Sequence, residues 1–164
     1  MRKVSFSQLV RVQSLSPVER AWLAGVMDCE GSISLSKVFN RLYRRAFLYR
    51  PQLEITNSNK PFLVRIAEVI GEGTVHRNKK GDETTRTRWA YIGSAGVLRA
   101  ILPQILPYMI VKREQAKKML EYFEFIDMRP LWGLREVDPG YYDKLDSFYA
   151  VLKKLNRKGK QKGI

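Results

Sequence analysis

The sequence is poor in the side chains that most often form cross-links and bind zinc. Its 164 residues include one cysteine, Cys29, and one histidine, His76. A single cysteine excludes an internal disulfide framework and a Cys-based zinc site, and a single histidine excludes a His-rich metal site. Any metal bound by this chain would therefore depend on oxygen ligands, which suit Mg²⁺ better than Zn²⁺.

Long apolar runs are also missing. No stretch approaches the ~20 apolar residues that span a membrane, and the first residues, MRKVSFS, contain no apolar signal-peptide core. We therefore expect an intracellular protein, in an organelle or a prokaryotic cytoplasm, rather than a secreted one. The length predicts a single domain over residues 1–156, with a disordered basic tail at 157–164.

Acidic side chains are outnumbered by basic ones. The chain has 30 Lys and Arg against 16 Asp and Glu, a net charge of +14. The first 112 residues hold 18 basic and 8 acidic side chains, and the last twelve hold 6 basic and none acidic. This excess lies on the predicted strands and on the tail, which indicates a polyanionic partner such as nucleic acid. The alternative is a ribosomal-type or merely soluble basic protein.

Residues 15–36 are the most informative stretch, and they begin with a well-marked helix. Ser16 and Glu19 form a capping-box pattern around Pro17, which predicts a helix over 17–28. Glycine inside a helix costs ~1 kcal/mol relative to alanine, so Gly25 needs a packing reason. Small residues on one side of the helix would let a second backbone come very close. They are Ala21, Ala24, Gly25 and Asp28.

The end of this helix carries the carboxylate of Glu30, followed by Gly31 as a stop residue. The pattern then changes to strict polar–apolar alternation over 32–36, which predicts a half-buried strand. An acidic group therefore lies at the junction of a close-packing helix and a one-sided strand.

The remaining pattern predicts a mixed chain of helices and strands. After the first helix we expect two strands, a helix, two more strands and three helices. Pro51 predicts an edge or a bulge in the second strand, and Pro103 predicts an interruption of the third helix. The predicted ranges are strands at 31–39, 46–56, 73–79 and 84–92, and helices from 57 or 58 to 70 and at 95–106, 110–128 and 141–157, with a basic loop at 40–45, a hairpin connection at 79–83 and a loop at 129–140.

Three segments resemble the LAGLIDADG homing endonucleases. LAGVMDCEG at 23–31 is similar to the motif of that family, with Glu30 replacing its final Asp. EITNSNKPFL at 54–63 and LPYMIVKREQA at 106–116 resemble two further family segments. The resemblance covers about residues 15–128. It implies an α+β class protein with the αββαββα homing-endonuclease fold, a four-stranded antiparallel saddle sheet and extra C-terminal helices.

The resemblance also implies a metal-dependent site. Glu30 would be the metal ligand, with the backbone carbonyl of Cys29 as a second ligand and Mg²⁺ (or Mn²⁺) as the cofactor. Asp28 would have a mainly structural role near the helix end and the interface, with metal binding as the less favoured alternative. The implied catalytic residues are Glu30, Lys112, Asn57 and Lys60, although Asn57 could instead be a helix N-cap.

One motif per chain implies a homodimer. Two motif helices would pack side by side through Ala21, Ala24, Gly25 and Asp28, and they would bring two Glu30 side chains together across a two-fold axis.

One sheet face would then read DNA in the major groove. Alternation places Ile33, Leu35, Leu53 and Ile55 toward the core. In the fourth strand, either Arg86 and Arg88 or Thr85, Thr87 and Trp89 face the groove. The expected DNA-binding residues are Ser32, Ser34, Ser36, Val38, Asn40, Arg44, Arg45, Arg50, Gln52, Glu54, Thr56, Thr74, His76, Asn78, Arg86 and Arg88, with Lys37, Arg41, Arg44, Arg45, Arg77, Lys79 and Lys80 favoured for phosphate contacts.

These features predict a homodimeric, Mg²⁺-dependent endonuclease that cuts both strands of a long, near-palindromic DNA site. The alternatives are an RNA maturase with intron RNA as a partner, a non-cleaving DNA-binding protein of the same fold, and an unrelated basic RNA-binding protein. The last alternative accounts for the charge but not for three ordered motifs.

Overall fold

The computed structural model of the protein describes residues 12–41, 47–80, 86–128 and 139–157. The element order confirms the predicted αββαββα arrangement followed by two helices. The elements are α1 (Pro17–Glu30), β1 (Gly31–Phe39), β2 (Phe47–Asn57), α2 (Lys60–Ile70), β3 (Thr74–Lys79), β4 (Arg88–Gly93), α3 (Ala95–Ile105), a 3₁₀ turn (Leu106–Tyr108), α4 (Arg113–Asp127) and α5 (Pro139–Leu155).

Helix α1 starts as predicted and ends two residues later than predicted. The Ser16 hydroxyl accepts a hydrogen bond from the Glu19 N–H, and the Glu19 carboxylate accepts one from the Ser16 N–H at 2.8 Å. The helix includes Glu30, and β1 begins at once with Gly31 in an extended conformation. A Cβ at Gly31 would lie 2.9 Å from the Cα of Met27, so this abrupt change requires glycine.

Several other boundaries differ from the prediction. Helix α2 begins at Lys60, because the N-cap is Asn59, whose side chain accepts the Phe62 N–H at 3.2 Å. Helix α3 continues through Pro103, so the predicted interruption was wrong. An internal proline costs ~3 kcal/mol, which is outweighed because burying each apolar side chain contributes ~1.5–3 kcal/mol. Five such side chains of α3 are buried: Val97, Leu98, Ile101, Leu102 and Ile105.

The four strands form one antiparallel sheet in the order β1-β2-β4-β3. Strand β2 is central, but it pairs with β4 only over 53–57. Pro51 pairs with Leu35 on β1 and lies beyond the β4 pairing, so no ladder bond to β4 is lost there. Pro51 thus lies where the central strand is paired on one side only, which agrees with the edge alternative of the predicted edge or bulge.

One face of the sheet packs on the helices and the other face is open. Ile33, Leu35, Leu53 and Ile55 are buried on the helix side, as predicted, together with Tyr91 of β4. Their neighbours along β1 and β2 are only half-buried or exposed. The open face is therefore mainly polar along β1 and β2, with the apolar pair Val38 and Leu48 at one end.

The strand register settles the orientation of β4. Tyr91 lies opposite Ile55, and Trp89 lies opposite Asn57, so both are on the helix side. Arg88 alternates with Trp89 and therefore lies on the open face.

Some predictions fall on residues outside the described ranges. These are the N-terminal segment, most of the basic loop at 40–45, most of the hairpin connection at 79–83, and the tail beyond Arg157. The predicted loop at 129–140 also lies mostly outside, but its last two residues already belong to α5. Among the described helices, none has the length and apolar character to cross a membrane.

Candidate functional site

The carboxylate of Glu30 lies where two surface clefts meet. Glu30 is the last residue of α1 and is exposed, and it lines both clefts together with Thr56 of β2. It is the only acidic side chain among the described residues that line either cleft. A single negative charge therefore sits between two basic surfaces.

The first cleft has a volume of about 620 Å³ and opens on the sheet side of Glu30. It has three cationic side chains: Lys79 is the last residue of β3, Arg88 is the first residue of β4, and Arg86 lies two residues before β4. The lining residues are Glu30, Thr56, Asn57, Ser58, Lys79, Arg86 and Arg88. Three cations around one carboxylate make this cleft suitable for an anion such as phosphate.

The second cleft, of about 470 Å³, lies on the other side of Glu30. It is bounded by the end of α1, the start of β1, the segment before α4 and the end of α5. Its polar lining includes Lys112, Gln115, Asn156 and Arg157. Glu30 thus has basic side chains within reach on both sides.

Lys112 caps the carbonyl end of α1. Its ammonium group donates a hydrogen bond to the carbonyl oxygen of Met27 at 3.0 Å and another to the carbonyl oxygen of Asp28. These carbonyls belong to the last turn of α1, where most helix carbonyls lack a backbone partner, although the Met27 carbonyl also accepts the Gly31 N–H. Lys112 is thereby attached to the helix two residues before Glu30, and it lines the second cleft together with Glu30.

Asp28 holds the segment that precedes α4. Its carboxylate oxygens accept the backbone N–H of Ile110 at 2.7 Å and of Lys112 at 2.8 Å. Partial burial alone would raise the pKa of Asp28. The backbone N–H groups of Ile110, Lys112 and Val111 and the charge of Lys112 outweigh that effect, and the pKa of Asp28 is lowered.

This arrangement agrees with the mainly structural role expected for Asp28. Both carboxylate oxygens accept backbone N–H groups of the same chain, while metal binding and a contact with a second helix stay predictions. It also explains why α4 begins at Arg113 instead of residue 110, because Asp28 keeps the preceding residues in a loop.

Of the two other expected catalytic residues, Asn57 lies in the first cleft and Lys60 does not. Asn57 lines the first cleft with Glu30, and its side-chain oxygen accepts the Asn59 N–H at 2.8 Å. It is therefore a turn residue before the N-cap rather than the N-cap itself. Lys60 is absent from the described lining of both clefts, and its ammonium lies 4.6 Å from the centre of the Trp89 ring.

The open sheet face carries most of the side chains expected to bind DNA. Cross-strand neighbours on this face include Ser32 with Glu54, Ser34 with Gln52 and Ser36 with Arg50. Val38, Thr56, Thr74, His76 and Arg88 continue the same face by alternation and register, and Asn40 follows the end of β1. Arg44 and Arg45 lie outside the described residues.

A bulge in β3 changes the expected pattern there. The pairing with β4 shifts between Arg77 and Lys79, so Lys79 is opposite Arg88 and Asn78 is the extra residue. Lys79 rather than Asn78 therefore continues the open face next to the first cleft. Arg77 lies opposite Trp89 and therefore on the helix side of the sheet, away from the open face, and its phosphate contact stays a prediction.

Lys37 is also on the helix side, and its expected phosphate contact was wrong. The strand alternation that buries Ile33 and Leu35 places Lys37 toward α5. Its ammonium pairs with the Asp146 carboxylate at 2.6 Å, and the Tyr49 hydroxyl donates to the same carboxylate at 2.5 Å. The hydrogen bond to Asp146 is the main reason that the pKa of Lys37 is raised.

The outward face of α1 is apolar, with the small residues Ala21 and Gly25 on it. Val18 is 78% exposed and Trp22 is 36% exposed, and Ala21 is exposed between them. A Cβ added at Gly25 would meet no atom within 4 Å, so nothing in the described chain covers this position. Ala24, by contrast, is fully buried in the core of its own chain and is not available to a second helix.

The oxygen donors for a metal are few in one chain. Among the described residues, no group of three or more His, Cys, Asp or Glu side chains is placed to hold an ion. The donors that the family resemblance implies are the Glu30 carboxylate, which is exposed, and the backbone carbonyl of Cys29. The carbonyls of Met27 and Asp28 are engaged by Lys112. One chain therefore supplies part of a hard-ligand set for a cation such as Mg²⁺.

Sequence reasoning missed the contribution of α5. Asn156 and Arg157, directly after α5, line the second cleft beside Gln115 of α4, although all three lie far from Glu30 in sequence. The only available signal was the run of basic residues from Lys153 onward, which does not reveal that the end of α5 packs beside α1.

Comparison with known proteins finds similarity to DNA endonucleases. No family model matches the chain. DNA endonuclease I-CvuI from Chlorella vulgaris is 31% identical over 103 residues, which cover 62% of this chain and 61% of that protein. The alignment therefore spans less than two thirds of the length of I-CvuI.

Solved structures share the fold over most of the chain. The homing endonuclease I-CvuI in complex with its target aligns with a TM-score of 0.71 at 24% identity, covering 90% of this chain and 87% of that one. The archaeal intron-encoded homing endonuclease I-Vdi141I, complexed with DNA, aligns with a TM-score of 0.69 at 22% identity, covering 90% and 89%. Meganuclease I-SmaMI, bound to DNA, aligns at 0.65 and 15% identity, covering 88% of this chain but 45% of its own.

Proposed function

We propose that this chain, a LAGLIDADG homing endonuclease by its motif helix and its fold, cuts double-stranded DNA at a specific site as a homodimer. The observation that supports this function best is the position of Glu30, a lone carboxylate between two basic clefts. DNA-cutting relatives with the same fold, I-CvuI in particular, support the substrate class.

The open sheet face would bind the DNA duplex. It presents Ser, Gln, Glu, Thr and Arg side chains in cross-strand pairs, and such side chains suit base edges in the major groove. Thr56 and Arg88 belong both to this face and to the first cleft, so a duplex on the sheet would pass directly over Glu30. Binding that neutralises ~10 phosphates would weaken by ~10⁵ between 50 and 200 mM salt.

Glu30 would hold a divalent cation, with Mg²⁺ as the proposed cofactor. The donors fit a hard cation because they are a carboxylate and a backbone carbonyl, with DNA phosphate oxygens and the Glu30 of a second chain completing the set. Such an ion, when bound, supplies an activated water and neutralises charge on the phosphate. The clefts hold the phosphates beside Glu30, and Lys112 contributes a fixed positive charge there.

The homodimer would form through the outward face of α1. Val18, Ala21, Trp22 and Gly25 give this face an exposed apolar surface with a small centre. The loop held by Asp28 adds Ile110 and Val111, which are 84% and 70% exposed. The match to 45% of I-SmaMI further supports the proposal that this chain is one half of a two-domain assembly.

A cleavage selection tests the function and identifies the target sequence at the same time. Plasmids that carry random inserts are incubated with the protein and Mg²⁺, and the cut ends are sequenced. We expect one long, near-palindromic sequence to be recovered. Glu30→Gln should abolish cutting while binding to the recovered duplex persists. Glu124→Gln, the same change at an exposed site on α4, should cut like the parent.

Persistent cutting by Glu30→Gln would overturn the metal assignment. Binding of the recovered or random duplex without any cutting by the parent would favour a DNA-binding protein that has lost cleavage. Intron RNA stays a predicted partner, because no feature of the described residues favours RNA over DNA.

A further inference from the structure

The end of α5 is fixed in place by two hydrogen bonds to distant parts of the chain. The Asn156 side-chain amide donates to the carbonyl oxygen of Ile33 on β1 at 2.7 Å. The Gln115 side-chain amide, from α4, donates to the carbonyl oxygen of Leu155 at 3.2 Å. The last residue of α5 and the residue after it are thereby attached to two different elements.

The bond to Ile33 fills a position that the sheet leaves open. Strand β1 is an edge strand, since it pairs only with β2 in the order β1-β2-β4-β3. The outer edge of such a strand presents backbone groups without a ladder partner. Asn156 satisfies one of them and joins the end of α5 to β1 three residues after Glu30.

This attachment places Arg157 in the second cleft with Glu30 and Lys112. Two of the three N–H groups of the Lys112 ammonium already point to the carbonyls of Met27 and Asp28. Arg157 has no ion-pair partner among the described residues, and its guanidinium carries five N–H donors in a planar fork that fits phosphate. Arg157 is therefore the cation of this cleft whose side-chain donors are available to a ligand.

We propose that Arg157 binds a DNA backbone phosphate beside Glu30, and that Asn156 and Gln115 are positioning residues that hold it there. This inference rests on the proposed endonuclease function and adds α5 to the site. In the homodimer, each chain would contribute one such contact, so two phosphates flanking the cleavage region would be held.

The first test is the salt dependence of binding to a fluorescent 40-base-pair duplex of random sequence, measured without Mg²⁺. Arg157→Ala should reduce the slope of log K against log salt by about 2 for a dimer, since each phosphate contact contributes ~0.9. Arg157→Lys should keep most of the slope. Arg65→Ala, an exposed arginine on α2, should leave the slope unchanged. A parental slope in Arg157→Ala would overturn the proposal.

The second test is the single-turnover cleavage rate on the duplex recovered by the selection, at saturating protein. Arg157→Ala should slow cleavage by about 10- to 100-fold, and Arg157→Lys should recover only part of it because the planar fork is lost. A rate within twofold of the parent for Arg157→Ala would show that its phosphate is not held at the reacting centre, contrary to the proposal.

A double-mutant cycle separates positioning from general stability. Asn156→Ala should slow cleavage in the parent but should cause no further loss in Arg157→Ala, because it acts through Arg157. A merely structural role would lower the unfolding midpoint and leave cleavage unchanged well below it. Equal losses in both backgrounds would overturn the positioning role. If the parent binds DNA but never cuts, the endonuclease proposal fails, and the salt slopes still decide whether Arg157 binds phosphate.

Discussion

Asp28 and Lys112 are joined twice, each through the backbone of the other. The Asp28 carboxylate accepts the Lys112 N–H at 2.8 Å, and the Lys112 ammonium donates to the Asp28 carbonyl oxygen. The pair is 84 residues apart in sequence. This reciprocal contact ties the end of the motif helix to the segment that leads into α4.

The first prediction concerns the stability of this contact. Asp28→Asn replaces one accepting oxygen by a donor that faces a backbone N–H, and it should lower the free energy of unfolding by about 1–3 kcal/mol at pH 7. Urea denaturation measures the loss. Asp127→Asn, an exposed aspartate at the end of α4 that pairs with Arg99, should cost less because surface ion pairs contribute ~0–1 kcal/mol.

The loss should also depend on pH with a definite sign. Because the folded pKa of Asp28 is lowered below the ordinary value of 3.8, the ionised carboxylate stabilises the folded state at all pH values above that value. The stabilisation is lost as the pH falls through the folded pKa. The difference between the parent and Asp28→Asn should therefore be constant well above pH 3.8 and should shrink as the pH falls below that value. A difference that grows on acidification would contradict the assignment.

The second prediction separates the two roles of Lys112. Lys112→Met keeps most of the length of the side chain but removes the donors to Met27 and Asp28, which should cost about 1 kcal/mol of stability. Cleavage measured well below the unfolding midpoint should fall by at least tenfold, because a fixed charge beside Glu30 is lost. Normal cleavage by a folded Lys112→Met protein would limit Lys112 to the structural role.

The third prediction uses the open space at Gly25. Gly25→Leu should be tolerated by the single chain, and it should raise helix stability by up to ~1 kcal/mol, since no atom lies within 4 Å of the new Cβ. The same side chain should prevent two α1 helices from approaching each other. Sedimentation at micromolar concentration should therefore show a folded monomer. Ala150→Leu on the exposed side of α5 is the matched control and should leave the dimer intact.

The fourth prediction tests which sheet face binds DNA. Arg88→Gln lies on the open face and should weaken binding of the recovered duplex by about 1–3 kcal/mol if it contacts a base. Arg77→Gln removes the same charge from the helix side of the neighbouring strand and should have little effect. Fluorescence anisotropy of both variants at one salt concentration measures the difference. Equal losses would show that general charge, not the face, determines affinity.

Local patterns in the sequence predicted most of the fold. Ser16 and Glu19 marked the start of α1, and the alternation around Ile33 and Leu53 gave the correct buried faces. Pro103 misled the prediction because the rule for proline considers only the helix backbone, whereas burial of the α3 apolar side chains decided the outcome.

The site was less predictable because long-range contacts assign side-chain roles. Small size suggested that Ala24 served the interface, but only the packed structure shows which small residue is covered by the chain's own core. Nothing in the local sequence distinguishes Lys37 from other lysines on strands, because its partner Asp146 lies on the distant helix α5. The contribution of Arg157 depends on hydrogen bonds between residues 33 and 156 and between residues 115 and 155, and no local pattern encodes such contacts.

The cap that Lys112 provides has a further consequence for assembly. The carbonyl end of a helix carries a partial charge of about −0.5, and it is least favourable near another negative group. In the proposed homodimer, two such ends and two Glu30 carboxylates would converge at the two-fold axis, facing polyanionic DNA. A fixed ammonium on the last carbonyls of each α1 offsets this repulsion before any metal or DNA arrives. Lys112 thus lowers the repulsion between the negative C-terminal end of α1 and a phosphate backbone.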